Sequence, residues 1–160
     1  PLSEARGEAA ALSRKVTLTA ELAERELAPT FLDDPDAGVA RWHPLGVFAV
    51  IGPFNFPVHL SNGHIVPALL AGNAAILKPS ETTPACGAWY AACWEEAART
   101  TGAPRALVQL LQGGGEVGAA LARHDGIDAV AFTGSYHVGV AIRRATAHLL
   151  PMEPDLRDHR

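Results

Sequence analysis

The sequence predicts an α/β fold in which a Rossmann-like parallel sheet alternates with helices. Short apolar runs of strand length recur along the chain, and each is followed by a longer segment with helical spacing of its apolar residues. The runs are nearly continuous, which is typical of strands buried on both faces. The predicted strands cover residues 46–51, 74–77, 106–112 and 128–132, and the helices that follow them cover residues 59–70, 83–99, 116–123 and 136–147. This order favours a doubly wound sheet.

The repeat is predicted to occupy only part of the chain. Residues 1–42 form an N-terminal helix over Ser3–Leu27 and a connecting loop over Pro29–Trp42. Residues 43–148 contain the repeat, and residues 149–160 form an atypical polar tail.

Two groups of residues are expected to be purely structural. The first helix should pack on a neighbour through an apolar stripe of Leu12, Val16, Leu22 and Leu27. Cys86 and Cys93 lie in one predicted helix, about 10 Å apart, which is too far for a disulfide. We expect both cysteines to be buried.

The composition is that of an ordinary globular protein. Of the 160 residues, 48% are hydrophobic and 19% are charged, and the formal net charge is −4. The basic residues form no stripe, so no nucleic-acid partner is predicted. No apolar run reaches the roughly 18 residues needed to span a bilayer, and no signal pattern precedes the first helix. We therefore expect a cytoplasmic protein without a membrane partner. The seven histidines show no metal-ligand spacing, so no metal site is predicted.

The stretch Gly46–Glu81 contains a predicted strand, a crossover helix and a second strand, which together form a parallel βαβ unit. Ligands of such sheets bind at the carboxyl ends of the strands. At the first end, Pro53 and Pro57 stiffen the loop that presents Asn55. An amide is a neutral donor that can stabilise an oxyanion, although an asparagine that merely closes a turn is an equally good interpretation.

The second strand ends at Lys78, followed by Ser80 and Glu81. An ammonium, a hydroxyl and a carboxylate suit the hydroxyl groups of a ribose. The alternative interpretation is a solvated helix N-terminus with Ser80 as its cap.

The third and fourth strands end in glycine-rich turns that lead into helices. Gly113–Gly115 follows the third strand, and Gly134, Ser135 and Gly139 follow the fourth. Such turns let backbone N–H groups approach a phosphate at the helix N-terminus. The GxGxxG fingerprint is absent, so the prediction of a dinucleotide site depends on these turns coinciding with Asn55 and Lys78 at strand ends.

Four sequence motifs, taken in their order along the chain, resemble those of a known superfamily. GPFNFP at residues 52–57, ALLAGN at residues 68–73, KPSE at residues 78–81 and FTGS with its following Gly139 have the order and spacing of the aldehyde dehydrogenase superfamily. The chain resembles that superfamily over about Pro44–Ala147, which implies that residues 43–148 form a partial dinucleotide-binding domain. The run NFPVHLSNGHIVPALLAGN is most similar to the succinylglutamate semialdehyde dehydrogenases of arginine catabolism.

The resemblance implies a role for each matched residue. Asn55 would hold the oxyanion of the catalytic intermediate. Lys78 and Glu81, with Ser80 beside them, would bind the adenosine ribose, and Glu81 would favour NAD over NADP because a carboxylate repels a 2′-phosphate. Ser135 would contact the pyrophosphate in a turn shaped by Gly134 and Gly139. The nicotinamide side would be lined by Ile51, Gly52, Pro53 and Phe54, and Gly114 would border the adenine side.

The chain also departs from the family pattern. The expected glutamate of an ELGG motif and the downstream catalytic cysteine are absent, and Cys86 and Cys93 lie in the wrong helix. We therefore expect an internal fragment of an enzyme that oxidises an aldehyde to a carboxylate, inactive by itself. The full-length relatives are expected to be homo-oligomers. Two alternatives stay open: a non-catalytic dinucleotide-binding or subunit-interaction module, and an acyl-phosphate-forming, NADP-dependent semialdehyde dehydrogenase.

Overall fold

The computed structural model describes residues 2–31 and 38–149. The helices are α1 (Leu2–Glu26), α2 (His59–Leu70), α3 (Pro84–Thr101), α4 (Gly115–Ala122) and α5 (Tyr136–Ala145). The strands are β1 (Thr30–Phe31), β2 (Val39–Ala40), β3 (Val47–Ile51), β4 (Ala74–Lys78), β5 (Val108–Leu110) and β6 (Ala129–Phe132). Short 3-10 turns cover Arg105–Leu107 and Ala147–Leu149. Most of the predicted polar tail lies outside the described residues.

Strands β3 to β6 form a parallel sheet in the order β5-β4-β3-β6. The chain runs outward from β3 through β4 to β5 and then returns to the other side of β3 for β6. The direction of winding therefore reverses between β3 and β6, and ligands of doubly wound folds bind at such a switch point. The predicted fold class is confirmed.

Side chains of alternating strand residues face two separate apolar cores. On β3, Val50 packs into a cluster with residues of α2 and α3, whereas Ala49 and Ile51 pack with Leu121 of α4. The same alternation on β4 places Leu77 in the first cluster. Lys78, the next residue, consequently points toward the α4 and α5 side. Helices thus cover both faces of the sheet, as the continuous apolar runs predicted.

Asn73 fixes the start of the central strand. Its side-chain Oδ1 accepts hydrogen bonds from the N–H groups of Leu45, at 2.7 Å, and Gly46, at 2.9 Å, and its Nδ2 donates to the carbonyl of Ala68 at 3.0 Å. Gly46 has a φ of +133°, a conformation that favours glycine, and a Cβ there would collide with the Asp128 carboxylate. One buried amide therefore ties the end of α2 to the beginning of β3.

Helix α1 packs on α2 through polar side chains. Glu8 Oε1 accepts hydrogen bonds from the N–H groups of Val58, at 2.9 Å, and His59, at 2.7 Å, while Lys15 Nζ donates to the His59 carbonyl at 3.3 Å. A carboxylate at a helix N-terminus satisfies free N–H groups and complements the helix dipole. The predicted packing on a neighbour is therefore confirmed. The predicted stripe is only partly correct, because Leu12 packs against the apolar cluster that includes Ile65 of α2, whereas Val16 and Leu22 are exposed.

The predicted burial of the two cysteines is wrong. Cys86 and Cys93 are free thiols exposed on α3. They are seven residues apart and so share one face of the helix, whereas Gly87, Tyr90 and Ala98 form its buried face. An Ala-rich helix offers little apolar contrast from which to predict the face that packs on the sheet.

Smaller corrections concern the connecting segments. The predicted loop over residues 29–42 contains the antiparallel pair β1 and β2, with Thr30 opposite Ala40. The third strand is shorter than predicted because a 3-10 turn occupies residues 105–107. No helix among the described residues is both long and apolar enough to cross a membrane.

We predict that Asn73→Ala lowers the free energy of unfolding by about 2–4 kcal/mol, because it removes three hydrogen bonds of a buried side chain, one of them to the buried Ala68 carbonyl. Asn55→Ala is the matched control, since Asn55 is exposed, and it should change stability by less than about 0.5 kcal/mol. Chemical denaturation of the three proteins measures the difference. Equal losses for both variants would contradict the anchoring role of Asn73.

Candidate functional site

A cavity of about 990 Å³ opens at the carboxyl ends of β3, β4 and β6, on the side of the sheet that α4 and α5 cover. All predicted site residues except Gly114 and Gly139 line it. Those that do are Ile51, Gly52, Pro53, Phe54, Asn55, Lys78, Ser80, Glu81, Gly134 and Ser135. The cavity lies at the switch point between β3 and β6.

Gly114 and Gly139 lie just outside this cavity. Gly114 is the N-cap residue of α4 and donates its N–H to the carboxylate of Glu116 at 3.2 Å, while the next residue, Gly115, lines the cavity. Gly139 lines a neighbouring groove of about 380 Å³. A Cβ on Gly139 would lie 3.5 Å from the Phe132 ring, which is an ordinary contact distance. Glycine at position 139 therefore permits close packing of α5 on β6 without being strictly required.

Lys78 places a buried cation at the cavity wall. The residue is 4% exposed, and its Nζ lies 3.4 Å from an oxygen of Glu81, whose side chain is 60% exposed. Gly118 of α4 lies beside the lysine stem, and a Cβ there would be 3.9 Å from Lys78 Cδ, an ordinary contact distance. An ammonium has three donors, so the single contact with Glu81 leaves two for a ligand.

The Glu81 carboxylate is held in its charged form. A hydrogen bond from its own backbone, followed by the hydrogen bond and charge of Lys78, lowers the pKa of Glu81 below its ordinary value. Ser80 does not cap α3, because its Oγ lies 2.9 Å from Thr82 Oγ1 and the helix begins only at Pro84. The alternative of a solvated, Ser80-capped helix N-terminus is therefore wrong.

Asn55 lies in the exposed bend that follows β3. Its side chain lines the cavity and makes no hydrogen bond within the described part of the chain. The interpretation of Asn55 as a residue that closes a turn required such a bond to nearby backbone. The amide is thus available to a ligand.

Ser135 is the N-cap residue of α5. Its Oγ accepts a hydrogen bond from the N–H of Val138 at 3.4 Å, and the turn before it is tight because a Cβ on Gly134 would collide with the Phe132 ring. Both Ser135 and His137 line the cavity, so the first turn of α5 faces it. A helix N-terminus in this orientation favours an anion.

Sequence reasoning missed an apolar slot of the cavity between α4 and α5. Small and aliphatic side chains line both of its walls. They are Gly115, Gly118, Ala119 and Ala122 on α4, and Val138, Ala141, Ile142 and Ala145 on α5. Their spacing of three or four residues in two short helices was the available signal. An apolar lining of this kind suits an apolar or aromatic part of a ligand.

Sequence reasoning also missed the pair His64 and Thr133. His64 Nε2 of α2 lies 3.0 Å from Oγ1 of Thr133, which follows β6 and lines the cavity. Burial first, and the charge of Lys15 second, lower the pKa of His64. No metal cluster of His, Cys, Asp or Glu occurs among residues 2–31 and 38–149.

A largely apolar cavity at the switch point of a doubly wound sheet, bordered by a buried ammonium and a helix N-terminus, defines a nucleotide-binding α/β protein. The chain belongs to the aldehyde dehydrogenase family, whose sequence model matches residues 1–153. It is 51% identical over 149 residues to N-succinylglutamate 5-semialdehyde dehydrogenase from Novosphingobium aromaticivorans, an alignment that covers 92% of this chain and 31% of that protein. The chain thus spans about a third of that relative.

Solved structures give the same family. Glyceraldehyde-3-phosphate dehydrogenase GapN from Methanocaldococcus jannaschii, complexed with NADP, superimposes with a TM-score of 0.83 and 29% identity, over 91% of this chain and 32% of that one. An NAD-dependent aldehyde dehydrogenase from Sinorhizobium meliloti gives a TM-score of 0.82 and 30% identity, over 94% of this chain and 30% of that one.

We predict that Gly118→Ala raises the free energy of unfolding by about 0.5–1 kcal/mol, because alanine favours the helix and its methyl group fits beside Lys78. Gly7→Ala in α1, where a Cβ would meet nothing within 4 Å, is the matched control and should give a similar gain. Denaturation curves compare the two variants. Destabilisation by Gly118→Ala alone would show that the lysine stem needs the space.

Stability should also fall as the pH is lowered from about 7 toward 5. The pKa of His64 is lower in the folded protein than in the unfolded chain, so the unfolded chain binds more protons in this pH range. Protonation therefore favours unfolding, and stability that is present above the unfolded-state pKa of the histidine is lost on acidification. His64→Gln should flatten this dependence, whereas His124→Gln, at an exposed position, should leave it unchanged. Urea denaturation at several pH values checks both expectations, and a slope that His64→Gln leaves intact would refute them.

Proposed function

We propose that this chain provides the cofactor-binding part of an NAD-dependent aldehyde dehydrogenase that oxidises a semialdehyde to a carboxylate. The observation that carries the proposal is the single cavity shared by Asn55, the buried Lys78 ammonium and the Ser135 turn. The N-succinylglutamate 5-semialdehyde dehydrogenases, with 51% and 47% identity, support N-succinylglutamate 5-semialdehyde as the substrate.

The residues present fit a nicotinamide dinucleotide. A volume of about 990 Å³ suits a large ligand, and the donors of Lys78 that Glu81 leaves free face it. Lys78, Ser80 and Glu81 bind the adenosine ribose in this proposal. Ser135 and the first N–H groups of α5 bind the pyrophosphate in a turn shaped by Gly134 and Gly139. The nicotinamide side belongs to Ile51, Gly52, Pro53 and Phe54, and the adenine side to Gly114. When bound, the cofactor supplies a hydride acceptor.

Asn55 acts in the proposal as the donor to the oxyanion that forms on the aldehyde carbon. Its amide is uncharged, exposed at the cavity and presented between two prolines, so it can donate without reorganising the loop. Residues 1–160 alone are proposed to be inactive. The described cysteines, Cys86 and Cys93, lie on the exposed face of α3 and do not line the cavity.

The proposal also covers the division of the chain into parts and the assembly of the full-length enzyme. Residues 43–148 form the dinucleotide-binding part, and residues 1–42 support it through the contact of α1 with α2. We propose that the full-length enzyme is a homo-oligomer, as the resemblance implied, and that it is cytoplasmic.

We predict that the chain binds NAD at least about tenfold more tightly than NADP, because the charged Glu81 repels a 2′-phosphate. Glu81→Ala should weaken NAD binding and abolish the preference. Glu96→Ala is the matched control, since Glu96 also forms an (i,i+3) ion pair, with Arg99, on the outer surface of α3. Calorimetric titration with both cofactors measures the affinities.

Three results would count against the proposal. Binding of neither cofactor would contradict a competent cofactor site. Tighter binding of NADP would favour the acyl-phosphate-forming alternative. Turnover of NAD with an aldehyde by these residues alone would contradict their proposed inactivity.

A further inference from the structure

The outer face of α3 exposes uncharged side chains to solvent. Trp89 is 56% exposed, and Cys86 and Cys93 are exposed free thiols that precede and follow it along the helix. None of the residues 82–94 is charged. An exposed apolar surface of this kind, with a large aromatic side chain at its centre, is typical of a site that binds another protein.

Small residues recur at every seventh position of this face. Ala85 and Ala92 form one such pair, and Cys86 and Cys93 form the other; all four are exposed. Residues seven apart lie two helical turns apart on the same side of the helix, about 10 Å from each other. Small side chains at this spacing allow the backbone of a second helix to lie close alongside. The face is therefore suited to a partner helix.

The two ends of α3 favour an antiparallel helix of the same sequence as that partner. The N-cap residue Thr83 makes no side-chain cap bond, and the first turn contains no acidic residue. The N-terminus of the helix thus keeps free N–H groups, which attract a carboxylate. Glu96, three turns further on, is exposed and bonds to Arg99 on the outer surface. In an antiparallel pair of α3 helices, this carboxylate lies near the N-terminus of the other helix.

We propose that the outer face of α3 is a self-association surface, on which two copies of this chain pack their α3 helices antiparallel about a two-fold axis. Placing Cys86 opposite Cys93 of the second copy also places Glu96 opposite Thr83 of the second copy. The axis then passes between residues 89 and 90, where the Trp89 side chains of the two copies meet. One register thus matches the thiols, the helix ends and the aromatic rings, and it involves no residue of the cofactor cavity.

The thiols determine how long such a pair persists. One face of an 18-residue helix is smaller than the roughly 1,200–2,000 Å² that stable protein interfaces bury, so the reduced chains associate weakly. Cys86 and Cys93 of one chain cannot join, because their Cα atoms are about 10 Å apart and a disulfide requires less than about 7 Å. Between antiparallel helices, two identical disulfides can form, each from Cys86 of one copy to Cys93 of the other.

The oxidant for this step is a small disulfide such as oxidised glutathione. The thiolate of Cys86 attacks one sulfur of the small disulfide, forms a mixed disulfide and releases one small thiol. The thiolate of Cys93 of the second copy then attacks the sulfur of Cys86 and releases the second small thiol. Each bond between the copies therefore oxidises two protein thiols and reduces one small disulfide. A reducing cytoplasm keeps the thiols free, so the covalent pair belongs to oxidising conditions.

Incubation of the 160-residue chain with oxidised glutathione tests this arrangement. The wild type should form a covalent dimer, detected by non-reducing electrophoresis, whose mass is lower than that of two chains by the four hydrogen atoms that two disulfides remove. Proteolytic fragments of this dimer should join Cys86 to Cys93. Reduction should restore the single chain.

Two single-cysteine variants distinguish the proposed register from random contact. Cys86→Ser and Cys93→Ser should each form no covalent dimer alone, because identical cysteines of the antiparallel pair lie about 10 Å apart along the helix axis. An equimolar mixture should form a dimer with one disulfide, since one variant supplies Cys93 and the other supplies Cys86. Helices packed in parallel would instead join identical cysteines, so each variant would form a dimer alone.

Trp89→Glu tests the contact at the axis. Two carboxylates meet there and repel each other, so this variant should form the covalent dimer at least about tenfold more slowly than the wild type. Trp42→Glu, at a tryptophan that is 70% exposed outside α3, is the matched control and should leave the rate unchanged. Both reduced variants should keep the wild-type midpoint of unfolding in denaturant, because both tryptophans are exposed.

A dimer from the mixture but from neither single variant alone, together with a selective effect of Trp89→Glu, supports the inference. A dimer from either single variant alone, or none from the mixture, would overturn the antiparallel register. No dimer from the wild type, or equal rates for Trp89→Glu and Trp42→Glu, would overturn the assignment of this surface. None of these measurements uses a cofactor, so their failure is distinguishable from failure of the proposed function, which the titration with NAD tests.

Discussion

The pairing of β3 with β4 determines where the site forms. In this register Ile51 lies beside Lys78, and both side chains point toward α4 and α5, where the cavity lies. A shift of one residue would direct the ammonium into the apolar cluster under α2 and α3 and would place Leu77 at the cavity. Asn73 opposes such a shift, because its amide joins the residue before β4 to the residues before β3. A single buried side chain at the far end of the sheet therefore controls the placement of the cation that the site uses.

Helix α1 supports the site from outside, although none of its residues lines the cavity. The carboxylate of Glu8 binds the N–H groups of Val58 and His59, which immediately follow the loop that carries Asn55. The ammonium of Lys15 lies against the same turn and influences His64. Polar contacts at the start of α2 thus hold both the Asn55 loop and the histidine behind Thr133. These polar contacts with backbone groups at a helix end add to the apolar contact that Leu12 makes with the core.

Strong local signals made much of the fold predictable. Helix α2 occupies the predicted residues 59–70, because its apolar spacing and the Gly72-Asn73 stop agree, and the four parallel strands follow from continuous apolar runs. Lys78 and Ser135 were found because each lies at or shortly after the carboxyl end of a strand. The α4–α5 slot and the pair of His64 with Thr133 escaped prediction, since each joins residues distant in the chain that only the tertiary fold brings together. The exposure of Cys86 escaped for a different reason: an Ala-rich helix gives weak information about its orientation.

The two edge strands of the sheet affect how the protein behaves in solution. Strands β5 and β6 each have a neighbour on one side only among residues 2–31 and 38–149. The free side of β6 presents the backbone of Ala129–Phe132 with apolar side chains above and below it. Unpaired strand borders of this kind recruit extended peptide from other molecules. Self-association of this chain should therefore increase with protein concentration, and dilute samples suit spectroscopic work on it.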